Sequence, residues 1–254
     1  MIKYTMITLN MMYIMVFSLF LITPFIDINL WLCGIAFGWL FHWIVGSVII
    51  HRYITHATFK VNRFLHNTFT LLSTIAYTGS ALSWASMHRM HHRTSDTIKD
   101  PHSPEKYTWW QTILLILAPN TNLKDRELEL LYCKDLLIDR LHLFCHRYYV
   151  PINLLFVLGL SLISIKLLIA FWIGIAYHSI GMLVEAWVYH KKLVFQYKSH
   201  DTEDSSYNNL ITTFLFHGEA YHNNHHKTPG ATSNAERWYE FDMNNLVINL
   251  LKTK

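Results

Sequence analysis

Four stretches of this chain are long and apolar enough to cross a bilayer, and they restrict the fold before any motif is read. A helical crossing takes roughly 20 apolar residues, because in hydrocarbon the backbone must satisfy its own hydrogen bonds. The stretches are 6–25, 30–50, 149–163 and 167–189. The first two are joined by the turn Thr23 to Asn29, the last two around Ser164-Ile165-Lys166, so each pair reads as a helical hairpin. Composition agrees: 52% of the 254 residues are hydrophobic and only 15% are charged, against about a quarter in soluble domains. No strong basic region precedes the first stretch and no small-residue cleavage site follows it, so it is expected to be a retained span rather than a signal peptide.

Two hairpins put both termini and the central segment on one side of the membrane. Residues 51–148 hold 12 Lys and Arg and residues 190–254 hold 7, whereas the two short turns hold only Lys166. The positive-inside rule assigns the charged segments to the cytoplasm. The expected fold is therefore all-α and integral to the membrane: one domain, 1–254, with four transmembrane helices in two hairpins and a cytoplasmic helical cap over 51–148 and 190–254. The stretch Tyr107 to Leu117 suits a helix lying in the interface or a buried core helix equally. The net charge of +4 has no basic arm behind it, which speaks against nucleic acid. Cys33, Cys133 and Cys145 lack metal-site spacing and are expected to be free thiols.

Histidine is abundant, 17 residues against 17 Asp and Glu combined. Eight fall in three tight clusters on the cytoplasmic side, next to predicted spans: His51 and His56; His88, His91 and His92; His222, His225 and His226. In the two HxxHH clusters the imidazoles share one helix face, so each could grip a metal without bending the backbone. The spacing of five between His51 and His56 turns about 140° on an ideal α-helix. That pair either serves two metals or straddles a distorted helix end. Packing alone gives no reason to build such clusters three times. An all-imidazole set suits Fe, Zn, Cu or Ni alike on softness, and since four ligands close a structural zinc site, eight histidines imply two metals. The other histidines, His42, His102, His178 and His217 among them, read singly as surface or satisfied core residues.

These residues resemble the membrane fatty acyl desaturases of the Δ9, or stearoyl, type. His51 to His56 is similar to that family's HRxxxH box, Trp84 to Pro101 (WASMHRMHHRTSDTIKDP) to its WxxxHRxHHxxSDTxxDP segment, and Gly218 to His226 (GEAYHNNHH) to its GEGxHNxHH box, with Arg237-Trp238-Tyr239-Glu240 in the place of its RWxE-like tail. The likeness covers roughly residues 40 to 250. It implies two iron ions (Fe2+/Fe3+) held by nine histidines, the ninth being His190, with O2 as co-substrate and insertion of a cis double bond, Δ9 in type, into a fatty acyl chain. No amino acid takes the catalytic part beyond the metal centre. Where the family has an Asn four residues before His190, this chain has Ala186, with Glu185 one residue earlier; Glu185 is a direct or water-linked ligand, or a helix-end carboxylate reaching for water. Asp96, Asp100 and Glu219 stand at family positions and are expected as partners of the ligand rings, or as turn residues.

By carry-over, Trp84 lines the acyl tunnel. Residues that bind the CoA head in animal enzymes are replaced here by Ala85, Ser86 and Met87, so fatty acyl-CoA and acyl-lipid are equally open as substrates. No haem motif of the HPGG kind occurs, so electrons are expected from a separate cytochrome b5-like or ferredoxin-like donor. The membrane is a bacterial inner membrane or the endoplasmic reticulum. A sister membrane di-iron hydroxylase of alkanes, sterols or fatty acids would use similar boxes, and a histidine-rich metal transporter is the rival outside enzymology. Transporters, however, place their ligands near the bilayer midplane.

Overall fold

The computed structural model describes residues 26–111, 124–217 and 219–253. Their regular secondary structure is almost entirely helical. The first helix, α1 (Ile28–Thr55), starts at Asp27, whose side chain accepts the Asn29 N–H at 2.8 Å. Its half Ile28–Phe41 is α-helical, and its half His42–Thr55 is wound as a π-helix with i→i+5 hydrogen bonds. Such winding is rare and is often found at functional sites. Helix α2 (Arg63–Thr74) and helix α3 (Ala81–Thr94) follow, capped by Asn62 and Ser80. After 124 come α4 (Asp125–Tyr132), the single turn α5 (Lys134–Leu137), α6 (Arg140–Arg147), α7 (Tyr149–Ile163) and α8 (Ile165–Val188). The chain then runs through β1 (Gln196–Tyr197) and β2 (Asn208–Asn209), an antiparallel two-residue pair, to α9 (Thr213–Phe216), α10 (His222–Lys227) and α11 (Met243–Leu251).

Helices α1 and α8 are each long and apolar enough to span a membrane. They cross closely, and small residues make the crossing: a β-carbon at Gly38 would stand 2.7 Å from the Gly174 carbonyl oxygen, and one at Gly34 would stand 2.7 Å from Ile173. This Gly34-xxx-Gly38 stripe is the device by which helices approach in lipid, where no hydrophobic force drives them together. The core is built on Val45, Val48, Ile49, Ile50 and Ile54 of α1, with Leu82 and Ala85 of α3 and Phe171 and Ile175 of α8.

The expected four spans are met only in part. The segment 6–25 lies outside the described residues, as does most of the Tyr107 to Leu117 stretch beyond the exposed Trp109 and Trp110. Helix α7 has 15 residues, about 22 Å of rise against a hydrocarbon core of about 30 Å. It reaches span length only together with α6, to which it is bent by 74°. The second hairpin itself is present, its break at Ser164. The first box also differs from expectation, because α1 runs on through His51 to Thr55: nothing between Ile50 and Thr55 interrupts a helix.

Candidate metal centre

The histidines of α1, α3 and α10, with His190 just past the end of α8, converge. Five form one group: His51 and His56, His88 and His92, and His225. Their Nε2 atoms close a ring, His51 to His88 at 3.0 Å, His88 to His92 at 2.9 Å, His92 to His225 at 3.0 Å and His225 to His51 at 3.1 Å. The His56 ring stands almost equidistant from those four, with centroids 4.6 to 5.0 Å away. Four form the second group, His91, His190, His222 and His226. Here the Nε2 separations are 3.2 Å from His91 to His190, 3.0 Å from His190 to His222 and 3.1 Å from His222 to His226. The groups adjoin, since the rings of His92 and His226 lie 4.3 Å apart.

Local winding explains the sorting. In each HxxHH box the first and third histidines, four residues apart, stack on one side, while the middle one points about 100° away from its neighbour in sequence. Thus His88 and His92 enter the first group and His91 the second; His222 and His226 enter the second and His225 the first. No box makes up a group alone. His51 and His56 serve the same group because i→i+5 winding sets residues five apart over one another, the distorted helix end rather than the division between two metals.

The donor set fits a cation. With metal–nitrogen bonds of about 2.1 Å, nitrogens at right angles lie about 3.0 Å apart and nitrogens at tetrahedral angles about 3.4 Å apart. Separations of 2.9 to 3.2 Å are those of nitrogens that can share one cation. Protonation fits at six of the nine rings. Burial, added to by neighbouring rings, drives His56, His88, His92, His222 and His225 well below the usual imidazole range. Burial also takes His226 down to about 4. Neutral rings keep a lone pair free for a metal.

Carboxylates fix the outward nitrogens. His51 Nδ1 stands 2.7 Å from Glu219, His91 Nδ1 donates to both oxygens of Asp100 at 3.1 Å, His226 Nδ1 donates to Asp204 at 2.7 Å, and His190 Nδ1 makes a longer contact to Asp96 at 3.4 Å. A proton held at Nδ1 leaves the Nε2 lone pair facing inward. Burial raises the carboxyls of Asp96, Asp100 and Asp204, but the imidazole beside each outweighs it and holds them well below their usual range. Burial likewise acts against Glu219, and Arg52 and His51 bring it down to about 2.

Several of these partners carry no spacing signal. Asp204 lies in an acidic loop, and His102, which stacks on His91 at 4.6 Å, was indistinguishable in sequence from a surface histidine. Arg52 is wholly buried and bridges Glu219 at 3.0 Å and Asp242 at 3.2 Å, so the first box is tied to the last box and to the cap of α11. Glu240 accepts from Asn224 of the last box and from the Glu236 and Arg237 N–H groups, which gives the RWxE-like tail a structural task. Trp84 is half-buried on α3 and stacks over His88 with centroids 6.0 Å apart. Glu185 enters neither histidine group; its Oε1 lies 3.0 Å from His42 Nε2.

A family model described as "Fatty acid desaturase" matches residues 28–241. An sn-1 stearoyl-lipid 9-desaturase of Synechocystis sp. is 31% identical over 224 residues, 86% of this chain and 68% of that protein. An sn-1 stearoyl-lipid 9-desaturase of Anabaena variabilis is 29% identical over 239 residues, 90% of this chain and 84% of that one. Acyl-CoA desaturase 1 of Saccharomyces cerevisiae is 28% identical over 83% of this chain and 43% of its own length.

Proposed function

We propose, because this chain belongs to the fatty acid desaturase family, that it inserts a cis double bond, Δ9 in type, into a fatty acyl chain carried on a lipid or on CoA. The observation that carries this reading is the convergence of nine imidazoles into two adjoining groups at the ends of the two span-length helices. In it, His51, His56, His88, His92 and His225 hold one iron, and His91, His190, His222 and His226 hold the other. An unactivated methylene has no acidic proton, so iron with O2 and two electrons from a separate donor would supply the power to break its C–H bonds.

The remaining work falls to the protein. Asp96, Asp100, Asp204 and Glu219 hold the imidazoles in the tautomer that faces the metals. Arg52 holds Glu219. Trp84, flat against His88, is a wall for the acyl chain beside the centre and keeps water from it. Helices α1 and α8 cross the bilayer as part of two hairpins, with the histidine-bearing cap on the cytoplasmic face.

Expression in a host starved of unsaturated lipid tests the reading. Gas chromatography with mass spectrometry of the host lipids should show cis-monounsaturated chains, absent when His92→Ala is expressed at the same level. Hydroxylated chains instead would assign the sister hydroxylase reaction. Unchanged lipids with metal bound would reject both.

A further inference from the structure

A second set of ionisable groups lies in the seam between the two span-length helices, outside the metal centre. His42 of α1 bridges two residues of α8: its Nε2 is 3.0 Å from Glu185 Oε1 and its Nδ1 is 3.0 Å from His178 Nδ1. Both imidazoles are fully buried, and the Glu185 side chain is 13% exposed. Glycines make room for the rings. A β-carbon at Gly46 would stand 2.8 Å from His178 Cε1, and one at Gly181 would stand 2.9 Å from His42 Cε1. His217, also fully buried, faces His42 with centroids 5.7 Å apart and stacks on Trp43. Among the described residues, neither of its ring nitrogens, nor Nε2 of His178, has a hydrogen-bond partner.

Packing does not call for a carboxylate and three imidazoles at this depth, where ionisable groups are costly and usually mark a pathway for ions or protons. Bonding at both ring nitrogens is what lets an imidazole pass a proton: one arrives on one nitrogen as another leaves from the other. An excess proton shared with the Glu185 carboxylate also leaves the set neutral overall, which lowers the cost of burying it.

The reaction proposed above, on which this inference rests, consumes protons. In RCH2–CH2R′ + O2 + 2e− + 2H+ → RCH=CHR′ + 2H2O, two C–H bonds break and the carbon–carbon π bond forms. O2 takes two electrons from the substrate and two from the donor, and two protons must come from outside. The metal-centre histidines are poor sources, since His51, His91, His190 and His226 have their outward nitrogens committed to carboxylates. We propose that His42 and His178 form a proton reservoir within the membrane seam, filled and emptied through Glu185, that supplies the metal centre. Glu185 suits the port: it precedes His190 by five residues, and its edge is the exposed part of the set. Among the described residues, Tyr177, Tyr189, His217, His51 and Glu219 are the other titratable groups around it.

The test compares Glu185→Gln, His42→Gln and His178→Gln with the wild type as purified, iron-loaded protein, and again after chelation. Infrared spectra of the chelated protein in H2O and D2O locate the Glu185 carboxyl by its loss in E185Q. A shared proton requires that the same band shift in H42Q. In single turnover with an acyl substrate, product per bound iron should form at least tenfold more slowly in E185Q and H42Q at unchanged iron content, with an enlarged solvent isotope effect. Wild-type turnover per iron in E185Q, with or without a loss of thermal stability, would overturn the reservoir and leave a helix-locking contact; so would a carboxyl band unmoved in H42Q. If the wild type forms no double bond while the infrared coupling is present, it is the desaturase reading that fails and not the shared proton.

Discussion

Asp204 accepts hydrogen bonds from the Ser206 N–H at 3.0 Å and the Thr202 hydroxyl at 2.9 Å while it holds His226. A carboxylate so pinned sets the direction of an imidazole. Removing the outer partner of a ligand histidine costs roughly 10 to 100-fold in metal affinity. Asp204→Asn and Asp100→Asn are each expected to lose that much in chelator competition on purified protein, and unchanged affinity would show that the rings orient without them. A second carboxylate supports stability instead. Asp139 caps α6 through the Leu141 and His142 N–H groups and pairs with Arg63; burial opposes these bonds, but they bring its carboxyl from 3.8 to about 2. A folded-state value below the unfolded one means that the contribution is full above pH 3.8 and is lost as pH falls toward 2. Asp139→Asn keeps an oxygen that can cap α6 but loses the charge, so it should lower stability by up to about 1 kcal/mol at neutral pH and by nothing near the acid limit, read from thermal melts in detergent at both pH values. Eight of the nine converging histidines were legible because they stand in three tight clusters in the sequence, whereas His190 was named only through the family resemblance. Asp204 and His102 were not, because loops bring them to the rings only once the chain has folded.

Between α1 and α8 the determinant is small size. At Gly38 a single methyl would meet the Gly174 carbonyl at 2.7 Å, whereas at Gly159 of α7 it would meet nothing among the described residues within 4 Å. Gly38→Ala should destabilise the protein by roughly 1 to 3 kcal/mol, the usual cost of overpacking. Gly159→Ala should be neutral or slightly stabilising, as alanine favours a helix over glycine by about 1 kcal/mol. Melting temperatures of the two variants, compared with wild type, check the pair; equal melting would mean that the crossing can relax. Hydropathy made both helices visible, but not their contact, since Gly34 and Gly38 read in sequence only as gaps in an apolar run. It overstated α7, where apolar residues fill a helix too short to cross alone.

At the scale of the molecule, the crossing helices carry His51, His56 and His190 at one end, and the cap brings the remaining rings to meet them. The hairpin reading makes a definite statement about sides. A cysteine at Lys166 should react with a membrane-impermeant maleimide from outside intact cells, and one at Lys124 or Lys252 only after lysis, in a background where Cys33, Cys133 and Cys145 are replaced. Labelling of all three from the same side would reverse or break the second hairpin. The winding of α1 reaches further. Because the π turn accommodates one residue more than an α turn, removing one residue from Arg52–Thr55 and letting the turn relax to α geometry would again stack two histidines, now four apart. Spacings of four and of five are thus interchangeable solutions to one geometric problem, and length variants of this box can keep the same two rings together by exchanging one kind of turn for the other.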